Sequence, residues 1–261
     1  MTRANKYYIP DSTWHVTHRC HNKDFLLKFV KDKKRWLYWL HEANKRFKIS
    51  ILNYCITSNH IHLLLTASKP DAIAKSIQLI AGRTAFEYNA RKKRKGAFWE
   101  DRYHATAIEN GEHLLACIAY IDMNMVRAGV VSHPQEWEFC GYNQFSSPPN
   151  RYSLIDYTKL LELTDLNSLE SFIKVHDTLL TEAISTNKQR QQKWTTSIAV
   201  GSENFIKTFR SKLKSPNKRK QIKISDDTHI LKENSKTYSH FTPKTSALST
   251  KNTYYWNLNN E

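Results

Sequence analysis

Ile49-Ser-Ile-Leu-Asn-Tyr-Cys-Ile-Thr-Ser-Asn-His-Ile-His-Leu-Leu-Leu-Thr-Ala67 is the stretch from which the fold can be read. A β-prone apolar run (Ile49 to Ile56) meets a polar turn signal, Thr57-Ser58-Asn59, and a second apolar run (Ile61 to Leu65) follows. That pattern is a β-hairpin. Alternate side chains of a strand share a face, so His60 and His62 point one way and Ile61 the other. Two imidazoles standing together are half of a metal site, because neutral imidazole nitrogen is a common ligand. The other reading is two ordinary polar residues at a strand end, and the pair needs partners from elsewhere in the chain.

Upstream, Thr13-Trp-His-Val-Thr-His-Arg-Cys20 alternates as a strand. Residues 31–47 read as a helix with an apolar stripe of Trp36, Leu40, Ala43 and Phe47. Downstream, Pro70-Asp71 opens a second helix with Ile73, Ile77, Ile80, Thr84 and Tyr88 on one side. It runs into the basic knot Arg91-Lys-Lys-Arg-Lys95. Residues 97–108 read as a loop leading into a short strand, and Asn110-Gly111 caps a third helix from Glu112 to Ala128 that Gly129 closes. Strands interleaved with helices predict an α+β fold, a ferredoxin-like antiparallel sheet with helices on one side. Ser146-Ser-Pro-Pro-Asn150 marks the end of a first domain, residues 1–145. Residues 146–213 then form a helical appendage. One of its helices carries Leu169, Phe172, Ile173, His176, Leu179, Leu180 and Ala183; another, capped by Ser202, carries Phe205, Ile206, Phe209 and Leu213. Residues 214–261 read as a basic, flexible tail.

The chain of 261 residues carries 40 Lys+Arg against 24 Asp+Glu, a formal charge of +16. Such an excess favours polyanionic partners, nucleic acid first and an acidic membrane surface second. No apolar stretch approaches the ~20 residues that span a bilayer, and Met1-Thr-Arg-Ala-Asn-Lys-Tyr-Tyr8 lacks the apolar core of a signal peptide. Cys20, Cys55, Cys117 and Cys140 show no metal-type pairing, which fits a reduced, cytoplasmic protein.

On a wheel of about 100° per residue, the third helix puts Leu114, Ile118, Ile121 and Met125 on a buried side. His113, Tyr120, Asn124 and Arg127 share another side, with Tyr120 and Asn124 one turn apart. Alone, that is a polar helix face. Beside the two histidines it becomes chemistry: a phenolic oxygen is a competent nucleophile at phosphorus once a divalent metal polarises the phosphate. Two histidines and a carboxamide oxygen would leave such a metal open to phosphate oxygen.

Asn59-His60-Ile61-His62-Leu-Leu-Leu65 resembles the histidine–hydrophobe–histidine motif of the single-tyrosine HUH transposases, and Ala119-Tyr-Ile-Asp-Met-Asn-Met-Val-Arg-Ala-Gly-Val-Val131 resembles their tyrosine helix. The branch it is similar to is the one associated with repetitive extragenic palindromes. Tyr8-Ile-Pro10, Trp14-His-Val-Thr-His-Arg19, Phe98-Trp-Glu-Asp-Arg-Tyr103 and Gly201-Ser-Glu-Asn-Phe205 add to the resemblance, which covers roughly residues 5 to 213. It implies a DNA transposase in which Tyr120 attacks a phosphodiester of single-stranded or hairpin DNA, leaving a 5′-phosphotyrosine bond and a free 3′-hydroxyl. His60 and His62, with Asn124 as third ligand, would hold Mg²⁺ or Mn²⁺. Relatives act as homodimers or monomers. The chain departs from the family at Asn124-Met125-Val126, where Asn-Pro-Val is usual, and at Thr57-Ser58, where Met-Pro is frequent. Without the proline the helix is free to run on through Asn124.

For DNA contacts the candidates are Lys92, Lys93, Arg94 and Lys95 with Trp99 and Tyr103, because cations track a backbone while bases stack on rings. Arg102, His104 and Arg127 join them. Strand alternation separates His15 from His18, so these, with His21, read as packing or DNA contacts. Lys212, Lys214, Lys218, Arg219, Lys220 and Lys223 read as a phosphate tether. Two other functions stay open: a DNA-binding protein without strand transfer, and a metal-dependent phosphodiesterase in which water attacks.

Overall fold

The computed structural model describes residues 9–149, 151–186, 190–213 and 219–233. Tyr8, and Lys214 and Lys218 of the tether, lie outside the described residues. The hairpin forms as read: β2 (Ser50–Ile56) and β3 (His60–Thr66) pair antiparallel around the Thr57–Asn59 turn. Next to β3 lies β1 (Thr13–Arg19), and next to β1 lies β4 (His104–Ile108), both antiparallel.

The register decides what shares a face. Thr17 stands opposite His62 on one side and His104 on the other, and His15 stands opposite Thr106. His15, Thr17, His60, His62, His104 and Thr106 therefore lie on one face. Trp14, Val16, His18, Ile61 and Leu63 lie on the opposite face. There Trp99 stacks on His18 at 4.1 Å between ring centroids and donates from Nε1 to the Ala81 carbonyl. Ala81 belongs to α2 (Ala72–Arg91), which packs against α1 (Val30–Phe47) over this side. Of the stripes read from the sequence, Trp36, Leu40 and Ala43 on α1 and Ile73, Ile77, Ile80 and Thr84 on α2 are buried, with Trp39 added, while Phe47 and Tyr88 at the helix ends are only partly covered.

The histidine face is covered by α3 (Glu112–Asp122), so the expectation of helices on one side holds for α1 and α2 alone. The physical reason is burial: β2 and β3 are buried on both faces along nearly their whole length, and each face needs cover. Asn53 of β2 ties α3 down, donating to Asp122 Oδ1 (2.9 Å) and to the Ile118 carbonyl (3.4 Å). His176 Nε2 of α7 (Leu169–Thr186) lies 2.9 Å from Asp122 Oδ2, and Cys140 Sγ donates to Oδ1 at 2.9 Å. The long helix expected over 112–128 is two pieces, α3 and α4 (Asn124–Arg127), because the backbone at Met123 turns to ψ 0°. Gly129, at φ +68°, closes the second piece in the left-handed region.

The boundaries expected at 145 and 213 run through a single sheet. Between them, α5 (Tyr142–Ser146), α6 (Tyr157–Thr164), α7, α8 (Lys193–Thr196) and α9 (Glu203–Ser211) follow in order. Ser202 caps α9 as read, its hydroxyl accepting from Phe205 N–H at 3.2 Å. But β5 (Ala199–Gly201) pairs parallel with β4. A hairpin inside the expected tail, β6 (Arg219–Lys223) and β7 (His229–Glu233), extends the sheet to the order β2-β3-β1-β4-β5-β7-β6. The charge of 219–223 reads as solvated chain in sequence, whereas the apolar Ile230 and Leu231 opposite it are buried. Among the described residues no helix is long and apolar enough to cross a membrane, and all four cysteines are buried and free.

Leu231 is fully buried, and its carbonyl accepts from Ile198 N–H at 2.7 Å. Leu231→Ala is expected to cost about 2–5 kcal/mol and to lower the urea midpoint of one cooperative transition. A tail hairpin loosely attached to the body would leave that midpoint where it was.

Candidate active site

His60 opens β3, and the turn before it fixes its ring. Thr57 Oγ1 accepts from the His60 backbone N–H (3.0 Å) and donates to the His60 carbonyl (2.8 Å). His60 Nδ1 lies 2.7 Å from Asn59 Oδ1 and 2.9 Å from Thr57 Oγ1, so Nδ1 carries the proton and Nε2 is bare. Thr57 thus builds the turn that orients the first histidine.

His62, two residues on, is held from behind. Its Nδ1 lies 2.8 Å from Nε2 of His15, and His15 Nδ1 lies 2.9 Å from the Trp194 carbonyl. Burial pushes His15 down to about 3 and His60 to about 4, and holds His62 well below the usual histidine range. All three are neutral at pH 7, the form in which imidazole binds a metal.

Both Nε2 atoms face the Asn124 carboxamide, with Oδ1 3.3 Å from His60 and Nδ2 2.8 Å from His62. Toward His60 the amide presents an acceptor to an acceptor, a mismatch that a cation between them would remove. Two imidazole nitrogens and one amide oxygen round a point on an open cavity fit a divalent ion with free coordination positions. Among the described residues no group of three or more His, Cys, Asp or Glu is placed to hold a metal ion.

Tyr120 is on the same side. Its ring centroid is 6.1 Å from that of His62 and 6.2 Å from that of His15, both edge-on. Arg127 lays its guanidinium 4.2 Å from the ring centroid and donates to the Tyr120 carbonyl at 2.8 Å, and Arg190 hydrogen-bonds its hydroxyl. Burial raises the phenol above its ordinary value of 10, against the pull of both arginines. It therefore carries its proton at neutral pH.

These groups line a cavity of about 730 Å³ whose wall includes Arg19, Arg102, Arg127 and Arg190 against Glu100 and Asp101. His104 also lines it, while His113 pairs with Glu109 at 3.4 Å. Lys92, Lys93, Arg94 and Lys95 do not line it: they follow α2, where Lys92 sits 5.3 Å over the Phe29 ring and Arg94 bonds Asn89. Trp99 and Tyr103 are also absent from its wall, Trp99 being stacked on His18 on the other face. Sequence reasoning missed Arg190 and Trp194, which reach the site from beyond residue 145. It read His15 as a packing or DNA contact, although alternation had put His15 on one face and only the β1–β3 register was needed to make that face the one bearing His62.

Residues 9–124 match the family model described as "Transposase IS200 like". No curated protein matches the chain. Among solved structures, the chain is similar to a REP-associated tyrosine transposase bound to a REP hairpin, at 19% identity over 59% of this chain and 90% of that one, TM-score 0.49. It is also similar to a transposase candidate from Deinococcus radiodurans, at 15% identity over 45% of this chain and 92% of that one, TM-score 0.33.

The buried histidines have a consequence for stability. Below its unfolded value near 6.5 each imidazole takes up a proton in the unfolded chain but not in the folded one, until pH reaches the depressed folded value. Stability is therefore full above about pH 6.5 and falls as pH drops toward 4. Urea unfolding at pH 7 and pH 5 should give the lower midpoint at pH 5, and equal midpoints would contradict this.

Proposed function

We propose that this chain, whose residues 9–124 match the model of the IS200-like transposases, is a DNA transposase that cleaves and rejoins single-stranded or hairpin DNA through a tyrosine adduct. The observation that carries the reading is that Tyr120, His60, His62 and Asn124 line one arginine-rich cavity. The phenolic oxygen attacks the scissile phosphorus, the P–O3′ bond breaks, and the 5′-phosphate stays on Tyr120. The phenol loses its proton to the solvent of the cavity, and the departing 3′-oxygen gains one. Arg127 holds the tyrosine ring by its face, and Arg190 bonds its hydroxyl. Arg19 and Arg102 supply charge for the neighbouring phosphates. His60, His62 and Asn124 would hold Mg²⁺ or Mn²⁺, which supplies polarisation of the scissile phosphate. The phosphotyrosine bond conserves the energy of the cleaved linkage, so a 3′-hydroxyl can displace Tyr120 and rejoin the strand without a nucleotide cofactor.

Incubation with labelled hairpin DNA and Mn²⁺, followed by a denaturing gel, tests the reading. A covalent protein–DNA band is expected; it should vanish in Tyr120→Phe and on addition of a chelator. Cleaved DNA without an adduct would point to hydrolysis, and retarded but intact DNA to binding alone. Affinity for single strands should also fall with salt. Arg102→Ala or Arg19→Ala should each reduce the log–log slope by about 0.7, the share of one phosphate contact.

A further inference from the structure

Trp194 lies outside the matched residues 9–124, yet its backbone carbonyl reaches the inner side of the site. The segment around it lies across the histidine face of the sheet. The Ser197 carbonyl accepts from Thr106 Oγ1 at 2.8 Å and lies 3.0 Å from His104 Nε2. His15 is fully buried beneath this segment, and its ring stacks on His62 with centroids 5.0 Å apart and planes 13° from parallel.

The hydrogen-bond chain has one consistent direction. A carbonyl only accepts, so the Trp194 bond requires the proton of the neutral His15 ring to be on Nδ1. That leaves His15 Nε2 an acceptor. The neighbouring His62 Nδ1, at 2.8 Å, must then be the donor. A neutral imidazole has one N–H, so His62 Nε2 keeps its lone pair on the side of Asn124.

We propose that His15 is a positioning residue: anchored to the Trp194 carbonyl, it locks His62 in its Nδ1–H tautomer and aims the bare Nε2 into the site. The metal-binding consequence rests on the reading of His60 and His62 as ligands; the tautomer does not. A backbone carbonyl cannot be lost by side-chain substitution, so this anchor depends only on how α8 sits against β1. The part of the chain beyond the matched domain thereby helps to set the geometry of a ligand within it.

The test is made on the whole protein without DNA. Ring-nitrogen NMR of the metal-free protein reads the His62 tautomer directly. The wild type should show Nδ1–H. In His15→Phe, which keeps a ring but offers no acceptor, a buried Nδ1–H would be left unpaired, and the proton should move to Nε2. His15→Leu gives the same readout should the phenylalanine not fit. His15→Gln, whose side-chain oxygen accepts the same bond, should restore the wild-type tautomer. Mn²⁺ titration followed by the free-ion paramagnetic resonance signal should show affinity about 10–100-fold weaker in His15→Phe and largely recovered in His15→Gln. An unchanged tautomer in both apolar variants overturns the proposal, whatever the metal does. A wild type that takes up Mn²⁺ no better than His60→Ala or His62→Ala overturns the functional reading instead, and the tautomer then still decides this one.

Discussion

The pairing of β3 with β1 is the constraint on which the site depends. A side chain's face in a sheet alternates with every residue, so a slip of one position would turn His60 and His62 toward α2 and bring Ile61 to the cavity. Apolar burial fixes the register. Leu63 and Leu65 face the α1–α2 layer while Leu64 faces the α3 side, and all three are fully buried. The alternation of the histidine pair is thus set by the same pairing that builds the core, and the chemistry inherits its precision from packing.

A second constraint holds the tyrosine. Asp122 is fully enclosed and is approached by Asn53 of β2, Cys140 and His176 of α7. An enclosed carboxylate needs such partners, and here they come from three parts of the chain. Because Asp122 ends α3, two residues from Tyr120, anchoring it sets where the phenol lies relative to β3. The break at Met123 does not carry Asn124 away: its side chain still meets both imidazoles. Met125, next in the chain, is buried.

What could be read from the sequence was local. The hairpin shows in two apolar runs, the stripes of α1 and α2 in their periodicity, and the nearness of Tyr120 to Asn124 in one helical turn. The resemblance joined the two motifs that no spacing rule could connect. What escaped was long-range. Arg190 and Trp194 stand in a polar stretch, Asn187-Lys-Gln-Arg-Gln-Gln-Lys-Trp194, that carries no sign of its destination. The basic knot at 92–95 misled because charge density marks a solvated face as readily as a binding one, and α2 carries it away from the cavity. The strands β6 and β7 were hidden because lysine and arginine dominate the first of them, and its pairing partner is what supplies the buried isoleucine and leucine.

The two rims of the sheet are closed in different ways. At one end β2 is shielded by chain that returns to it, through bridges from Ile51 to Ile155 and from Cys55 to Cys140. At the other, among the described residues, β6 ends the row with Lys220 and Lys223, whose ammonium groups repel an approaching strand of like charge. Growth of this sheet by lateral addition from a second molecule is disfavoured at both ends.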